Sequence, residues 1–134
     1  RKYVDNNGDC PDLDNFYPMT AFDENGVVGS LILRFNNEER TVVRLGFIIV
    51  DDTKRGKGYG KKMVQLATKY AFEFLGAEKV TLGVFDNNPS AYHCYKAVGF
   101  KETGENFNIP LLGEMWTVVE LKMEREKYEA LIHH

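Results

Sequence analysis

Apolar residues recur along this chain with two different periods, and the change falls near residue 60. Before it, short alternating or apolar runs are separated by turn signals. Tyr17 to Phe22 (YPMTAF) reads as a short strand, and Pro18 confines it to a strand start or a sheet edge because it has no N–H to donate. DENG, Asp23 to Gly26, is a hairpin signal, so Val27 to Phe35 (VVGSLILRF) returns as a second strand. NNEER, Asn36 to Arg40, turns the chain again, and Thr41 to Val50 makes a third strand with β-branched residues and a nearly unbroken apolar end.

From Gly60 the spacing becomes helical. Met63, Leu66, Ala67, Tyr70, Ala71, Phe74 and Leu75 recur at three- and four-residue steps, which predicts a helix packed on one face and stopped at Gly76. Lys79 to Phe85 reads as a strand. Asn87 or Asn88 caps a further helix, with Pro89 suited to its first turn and Gly99 to its end. Phe100 to Thr103 starts another strand, a loop with Pro110 and Gly113 follows, and Met115 to Met123 (MWTVVELKM) is the last strand. The tail EREKYEALIHH reads as a surface or frayed helix. The order β-β-β-α-β-α-β-β predicts an α/β fold, with a mixed sheet and helices on its faces. Residues 1–16 form a polar loop, residues 17–123 the domain and residues 124–134 a C-terminal tail.

Composition narrows the function classes. At 134 residues the chain is one domain with room for a core, and its net charge of −3 argues against a nucleic-acid partner. Two cysteines, Cys10 and Cys94, have no CxxC spacing and no clustered histidines, so they read as reduced thiols and no metal site is expected. No apolar run reaches the ~18 residues of a membrane span and no signal peptide is visible, so a cytoplasmic protein without a membrane partner is expected.

The chemistry concentrates between the third strand and the first helix, in RGKGYGKKM, Arg55 to Met63. A glycine-rich loop feeding a helix offers unpaired N–H groups and the positive end of the helix dipole to one anion. Arg55, Lys57, Lys61 and Lys62 add full charges around the same point. Spacing excludes two nucleotide loops: Gly56 to Lys61 is too compact for GxxxxGK, and Gly56, Gly58 and Gly60 give GxGxG instead of GxGxxG.

Arg55-Gly56-Lys57-Gly58-Tyr59-Gly60 fits R/Q-x-x-G-x-G/A and resembles the pyrophosphate loop of the GNAT superfamily of N-acetyltransferases. NPSAYHCYKAVGF, Asn88 to Phe100, resembles that family's later signature, an Asn, a helix carrying a Tyr, then Gly-Phe. The two segments lie in the family's order, and the resemblance covers roughly Tyr17 to Met123. It implies a GNAT-like acyl-CoA N-acyltransferase fold, with helices on both faces of the sheet. It also implies transfer of an acetyl group from acetyl-CoA to a primary amine, by direct attack in a ternary complex.

By position, the cofactor would lie in a splayed gap between the strands ending at Val50 and Phe85. The backbone of Ile48 and Val50 would bond the pantetheine, and an N–H nearby would polarise the thioester carbonyl. Arg55, Gly56, Lys57, Gly58, Gly60 and Lys61 would hold the pyrophosphate, and Asn88 would contact the pantetheine. Tyr95 matches the family's general acid. Ala91, Tyr95 and Val98 share a helical face, which independently turns its ring inward. His93 falls on another face and reads as exposed, and Cys94 has no base partner that would make it a nucleophile.

Two departures from the family stand out. Many relatives carry a catalytic Glu at positions that here are Arg44 and Gly83, so the proton would leave through water or an acid such as Glu105, Glu114 or Asp86. Family members usually open with a strand and one or two helices, whereas only a short polar segment precedes Tyr17; an element on the order of 40 residues is expected to be missing. A non-catalytic acyl-CoA-binding or sensor domain is the alternative these departures raise, and a phosphate-binding fold unrelated to CoA is a third. The acceptor, a small molecule or a peptide amine, stays open among polyamine, aminoglycoside, amino acid and protein N-terminus. Tyr17, Trp116, Phe107 and the loop Glu105 to Glu114 are candidates to shape its pocket. A homodimer also stays open.

Overall fold

The structure, a computed structural model, describes residues 15, 17–51 and 58–133. Its elements run β1 (Tyr17–Asp23), β2 (Gly26–Phe35), β3 (Val42–Val50), α1 (Tyr59–Glu73), β4 (Lys79–Phe85), α2 (Pro89–Val98), β5 (Lys101–Glu102), β6 (Phe107–Leu111), β7 (Glu114–Glu124) and α3 (Arg125–Ile132). The strands form one mixed sheet in the order β1-β2-β3-β4-β7-β5, with β6 also on β7. β3 and β4 are parallel, and the other pairings are antiparallel. Pro18 lies on β1, which pairs on one side alone among the described residues, a position where a strand tolerates proline.

Alternation along the strands decides which face is buried. Leu31, Leu33, Val43, Leu45, Val80, Leu82 and Leu121 point to the face on which α1, α2 and Tyr128 of α3 complete one core. All three described helices therefore share a face. The opposite face, which carries Arg34, Arg44, Thr81 and Glu120, is covered by no helix among the described residues.

The segment holding Pro110 differs from the loop expected there. Phe107–Leu111 is a strand paired with β7 from Phe107 opposite Val118 to Leu111 opposite Glu114. Its hairpin closes over Leu112 (φ 53) and Gly113 (φ 81), two positive φ values that match the twist of the flanking strands. Pro110 is tolerated because, among the described residues, β6 pairs on one side alone.

The buried face of α1 is also rotated from the expected stripe. Met63, Ala67 and Ala71 are buried as predicted, but Val64, Thr68 and Phe72 join them, while Leu66 and Phe74 stay exposed. The tail explains the rotation. Tyr128 stacks on Phe72 with ring centroids 4.8 Å apart, and burying a ring of that size contributes about 2–3 kcal/mol. Arg125 fixes α3 by donating to the carbonyls of Phe72 at 2.8 Å and Ala77 at 2.6 Å, which lie at and just beyond the C-terminal end of α1.

Candidate active site

The parallel pair β3–β4 is short. Val42 to Arg44 pair with Lys79 to Thr81, and beyond them the two strands part. Further along, β3 is irregular. Ser30 pairs with Ile49 but Ile32 with Gly46, so β3 holds one residue more than β2 across this interval. Such a bulge turns backbone groups out of the ladder, next to the gap.

A cavity of about 310 Å3 opens there. Ile48 and Val50 of β3 line one side, Gly58 to Lys61 at the start of α1 another, and Asn88, Cys94 and Tyr95 a third. Of the residues singled out in the sequence, Ile48, Val50, Gly58, Gly60, Lys61, Asn88 and Tyr95 are thus brought together. Arg55, Gly56 and Lys57 lie outside the described residues, as do Cys10 and all of residues 1–16 except Asn15.

Local structure explains each wall. Gly58 caps α1 in a left-handed conformation (φ 79) and has no side chain to cap the helix, so the backbone at this end can be approached closely by an anion. Tyr59 anchors this end by donating its hydroxyl hydrogen to Asp23 Oδ2 at 3.1 Å. Asn88 caps α2, its Oδ1 accepting from Ala91 N at 3.2 Å, with Pro89 opening the helix as predicted.

Tyr95 is buried on α2, as its helical spacing implied. Its hydroxyl has no hydrogen-bond partner among the described residues, and the residue lines the cavity. Burial first, then the neighbouring Cys94, pushes its pKa up to about 12. Cys94 also lines the cavity, its thiol raised by burial against an opposing pull from Lys61. His93 is exposed, as expected.

The candidate acids separate. Glu105 lines a second cavity of about 550 Å3 on the other face of the sheet, with Arg34, Arg44, Phe107 and Glu120. Asp86, at the end of β4, and Glu114, at the hairpin, line neither cavity. Of the aromatic candidates, Phe107 joins the second cavity, whereas Tyr17 packs edge-on against Phe35 and Trp116 against Phe85. The Trp116 Nε1 is buried with no partner among the described residues.

Glu120 was not foreseen. It receives a bidentate bond from Arg44, whose Nη2 lies 3.1 Å from Oε1, and it stands directly opposite Gly83 on β4. The positions where many relatives carry a carboxylate are thus both next to one, supplied by β7. In the sequence Glu120 is one polar residue in an alternating strand, and only its partner 76 positions away marks it.

No described helix is long and apolar enough to cross a membrane. The model of the acetyltransferase (GNAT) family matches residues 2–100. A spermine/spermidine N(1)-acetyltransferase of Bacillus subtilis is 29% identical over 119 residues, 84% of this chain and 76% of that protein. A spermidine N(1)-acetyltransferase of Vibrio cholerae is 37% identical over 57 residues, 42% of this chain and 33% of that protein. A chimera of the Vibrio cholerae spermidine N-acetyltransferase SpeG and hSSAT has a TM-score of 0.78 at 24% identity, covering 94% of this chain and 75% of that one. That likeness extends the sheet and helices described above to a solved fold. Because the family match spans most of the chain, the chain belongs to the acetyltransferase (GNAT) family and is an N-acetyltransferase.

Proposed function

We propose that the chain transfers an acetyl group from acetyl-CoA to a primary amine of a polyamine, by direct attack in a ternary complex. The observation that carries this reading is the first cavity, which the parted edge of β3, the glycine-led start of α1 and Tyr95 line together. Pantetheine would add to β3 at Ile48 and Val50 as an extra strand, with the Nδ2 of Asn88 donating to it. The pyrophosphate would sit on the N–H groups of Gly58 to Lys61, joined by Arg55, Gly56 and Lys57. The bulge before Ile49 supports an N–H aimed at the thioester carbonyl, where it would stabilise the developing oxyanion.

Tyr95 acts as a donor. With a pKa near 12 it stays protonated at neutral pH, so it cannot serve as the base. A thiolate leaving group with a pKa of roughly 8.5 is a much weaker base than its phenolate. The proton therefore stays largely on oxygen, and Tyr95 stabilises the departing sulfur by a hydrogen bond. The polyamine assignment is supported by what the relatives' names say they acetylate and by an acidic net charge of −3. The cytoplasm is the proposed compartment.

The test is calorimetric titration with acetyl-CoA, with ATP and NADH as controls, followed by thiol release with spermidine. Micromolar binding of acetyl-CoA and steady turnover are expected. Binding without turnover across a broad amine panel would favour the non-catalytic acyl-CoA sensor, the reading that Arg44 and Gly83 motivate. Binding of ATP or NADH instead would remove both.

A further inference from the structure

The carboxylate that receives the acceptor amine is missing from the two positions where the resemblance placed it. Arg44 on β3 and Gly83 on β4 nonetheless lie at one spot, the point where these strands part. Glu120 reaches that spot from β7. A Cβ built on Gly83 would stand 2.9 Å from Arg44 Nη2 and 3.5 Å from Glu120 Oε1. The absent side chain of Gly83 is what lets guanidinium and carboxylate lie over β4.

We propose that Glu120 is the catalytic carboxylate for the acceptor amine and that Arg44 is its positioning residue. This rests on the acetyl-transfer reading above. Arg44 holds both carboxylate oxygens and also donates to Thr81 Oγ1 at 3.3 Å, so the carboxylate plane is fixed. Two of its lone pairs remain for another donor. Glu120 is not sealed: its side chain is 15% exposed and lines the second cavity with Arg34, Glu105 and Phe107. The charged groups facing it are Arg34 from β2, Arg44 from β3 and Glu105 from the segment before β6. Lys122 of its own strand is held by Glu124 at 2.8 Å. An ion pair that only braced the sheet would not need a cavity in front of it.

An alkyl ammonium is a much weaker acid than a carboxylic acid, so the step needs an onward acceptor for the proton, and Glu120 acts as a relay. It orients the ammonium and passes its proton to water. The freed nitrogen lone pair forms the N–C bond to the thioester carbonyl, the C–S bond breaks, and coenzyme A leaves as the thiolate. The second nitrogen proton then leaves to solvent.

The test is Glu120→Gln, which keeps the shape and one acceptor for Arg44. Turnover of acetyl-CoA and spermidine is followed from pH 7 to 10, with acetyl-CoA affinity and the melting temperature as controls. The expected result is kcat lowered about 100-fold at pH 7, a deficit that shrinks toward pH 10 as the amine deprotonates by itself. Acetyl-CoA affinity should stay within about twofold of wild type. If Glu120→Gln does not fold, Arg44→Gln with Glu120→Gln removes both charges and should show the same pH-dependent deficit. A variant that matches wild type at every pH, or a deficit equal at every pH together with a lowered melting temperature, overturns the assignment alone. No turnover by the wild type overturns the acetyl-transfer reading, and the assignment with it.

Discussion

Arg44 and Glu120 meet over Gly83, which leaves the sheet surface open beneath them. A methyl group at residue 83 would stand 2.8 Å from Val118 Cγ1 and 2.9 Å from Arg44 Nη2. The guanidinium can swing aside, but the branched Val118 is fixed in β7. Gly83→Ala should therefore cost about 1–3 kcal/mol and displace the ion pair. Gly46→Ala on β3 is the control, because nothing lies within 4 Å of its added carbon. It should change stability by no more than about 0.5 kcal/mol. Urea unfolding of the two variants checks the contrast.

Tyr95→Phe separates stability from chemistry. The hydroxyl makes no hydrogen bond among the described residues, so its loss should leave stability at neutral pH unchanged. Turnover should fall about 100-fold, with acetyl-CoA affinity nearly unchanged. The same residue predicts an alkaline signature. Its folded pKa of about 12 lies above the ordinary tyrosine value of 10.0, so its contribution is complete below pH 10 and is lost as pH rises toward 12. Over that window the wild type should lose roughly 2–3 kcal/mol that Tyr95→Phe retains. Tyr128 is raised as well, first by burial and then by Glu73, but it is present in both proteins and cancels in the difference. Chemical unfolding at pH 8 and pH 11 should already show about half of it, roughly 1.4 kcal/mol.

The periodic segments were legible because each carries a local cause. β4 and α2 match their expected spans, since a β-branched run and an Asn-Pro cap define them without help from the rest of the chain. β6 was hidden by Pro110, because a strand tolerates proline only at an edge, and edge position is a property of the whole sheet. The buried stripe of α1 was ambiguous for a related reason. Two overlapping stripes share Met63, Ala67 and Ala71, and the choice of Phe72 over Phe74 depends on Tyr128 from the tail. In the site, residues within one motif were readable together. Glu120 was not, because its meaning arises from Arg44, on a strand paired to the far side of β4.

The β6–β7 hairpin carries a residue that its turn does not favour. Leu112 adopts φ 53, is 89% exposed, and precedes Gly113 at φ 81. A branched side chain gains nothing there from packing and disfavours the left-handed region that a two-residue turn requires. Leu112→Asn should stabilise the protein by about 0.5–1 kcal/mol, read from urea unfolding. Acetyl-CoA affinity should not move, since no residue of the hairpin lines the first cavity.

At the start of α1, two glycines two positions apart should respond in opposite ways. Gly58 has φ 79 with open space around its missing Cβ, so Gly58→Ala is a purely conformational strain and should cost about 1–2 kcal/mol. Gly60 lies inside the helix, where an added Cβ would meet Val50 Cγ2 at an ordinary 3.6 Å. Gly60→Ala should therefore raise stability by about 0.5–1 kcal/mol. Gly60→Asp goes further, because a carboxylate in the first turn favours the helix dipole by about 0.3–1 kcal/mol while occupying the place proposed for the pyrophosphate. The expected outcome is a protein at least as stable as wild type whose acetyl-CoA affinity falls at least tenfold, about 1.4 kcal/mol. Calorimetry on Gly60→Asp decides it, and wild-type affinity in that variant would remove the pyrophosphate from the start of α1.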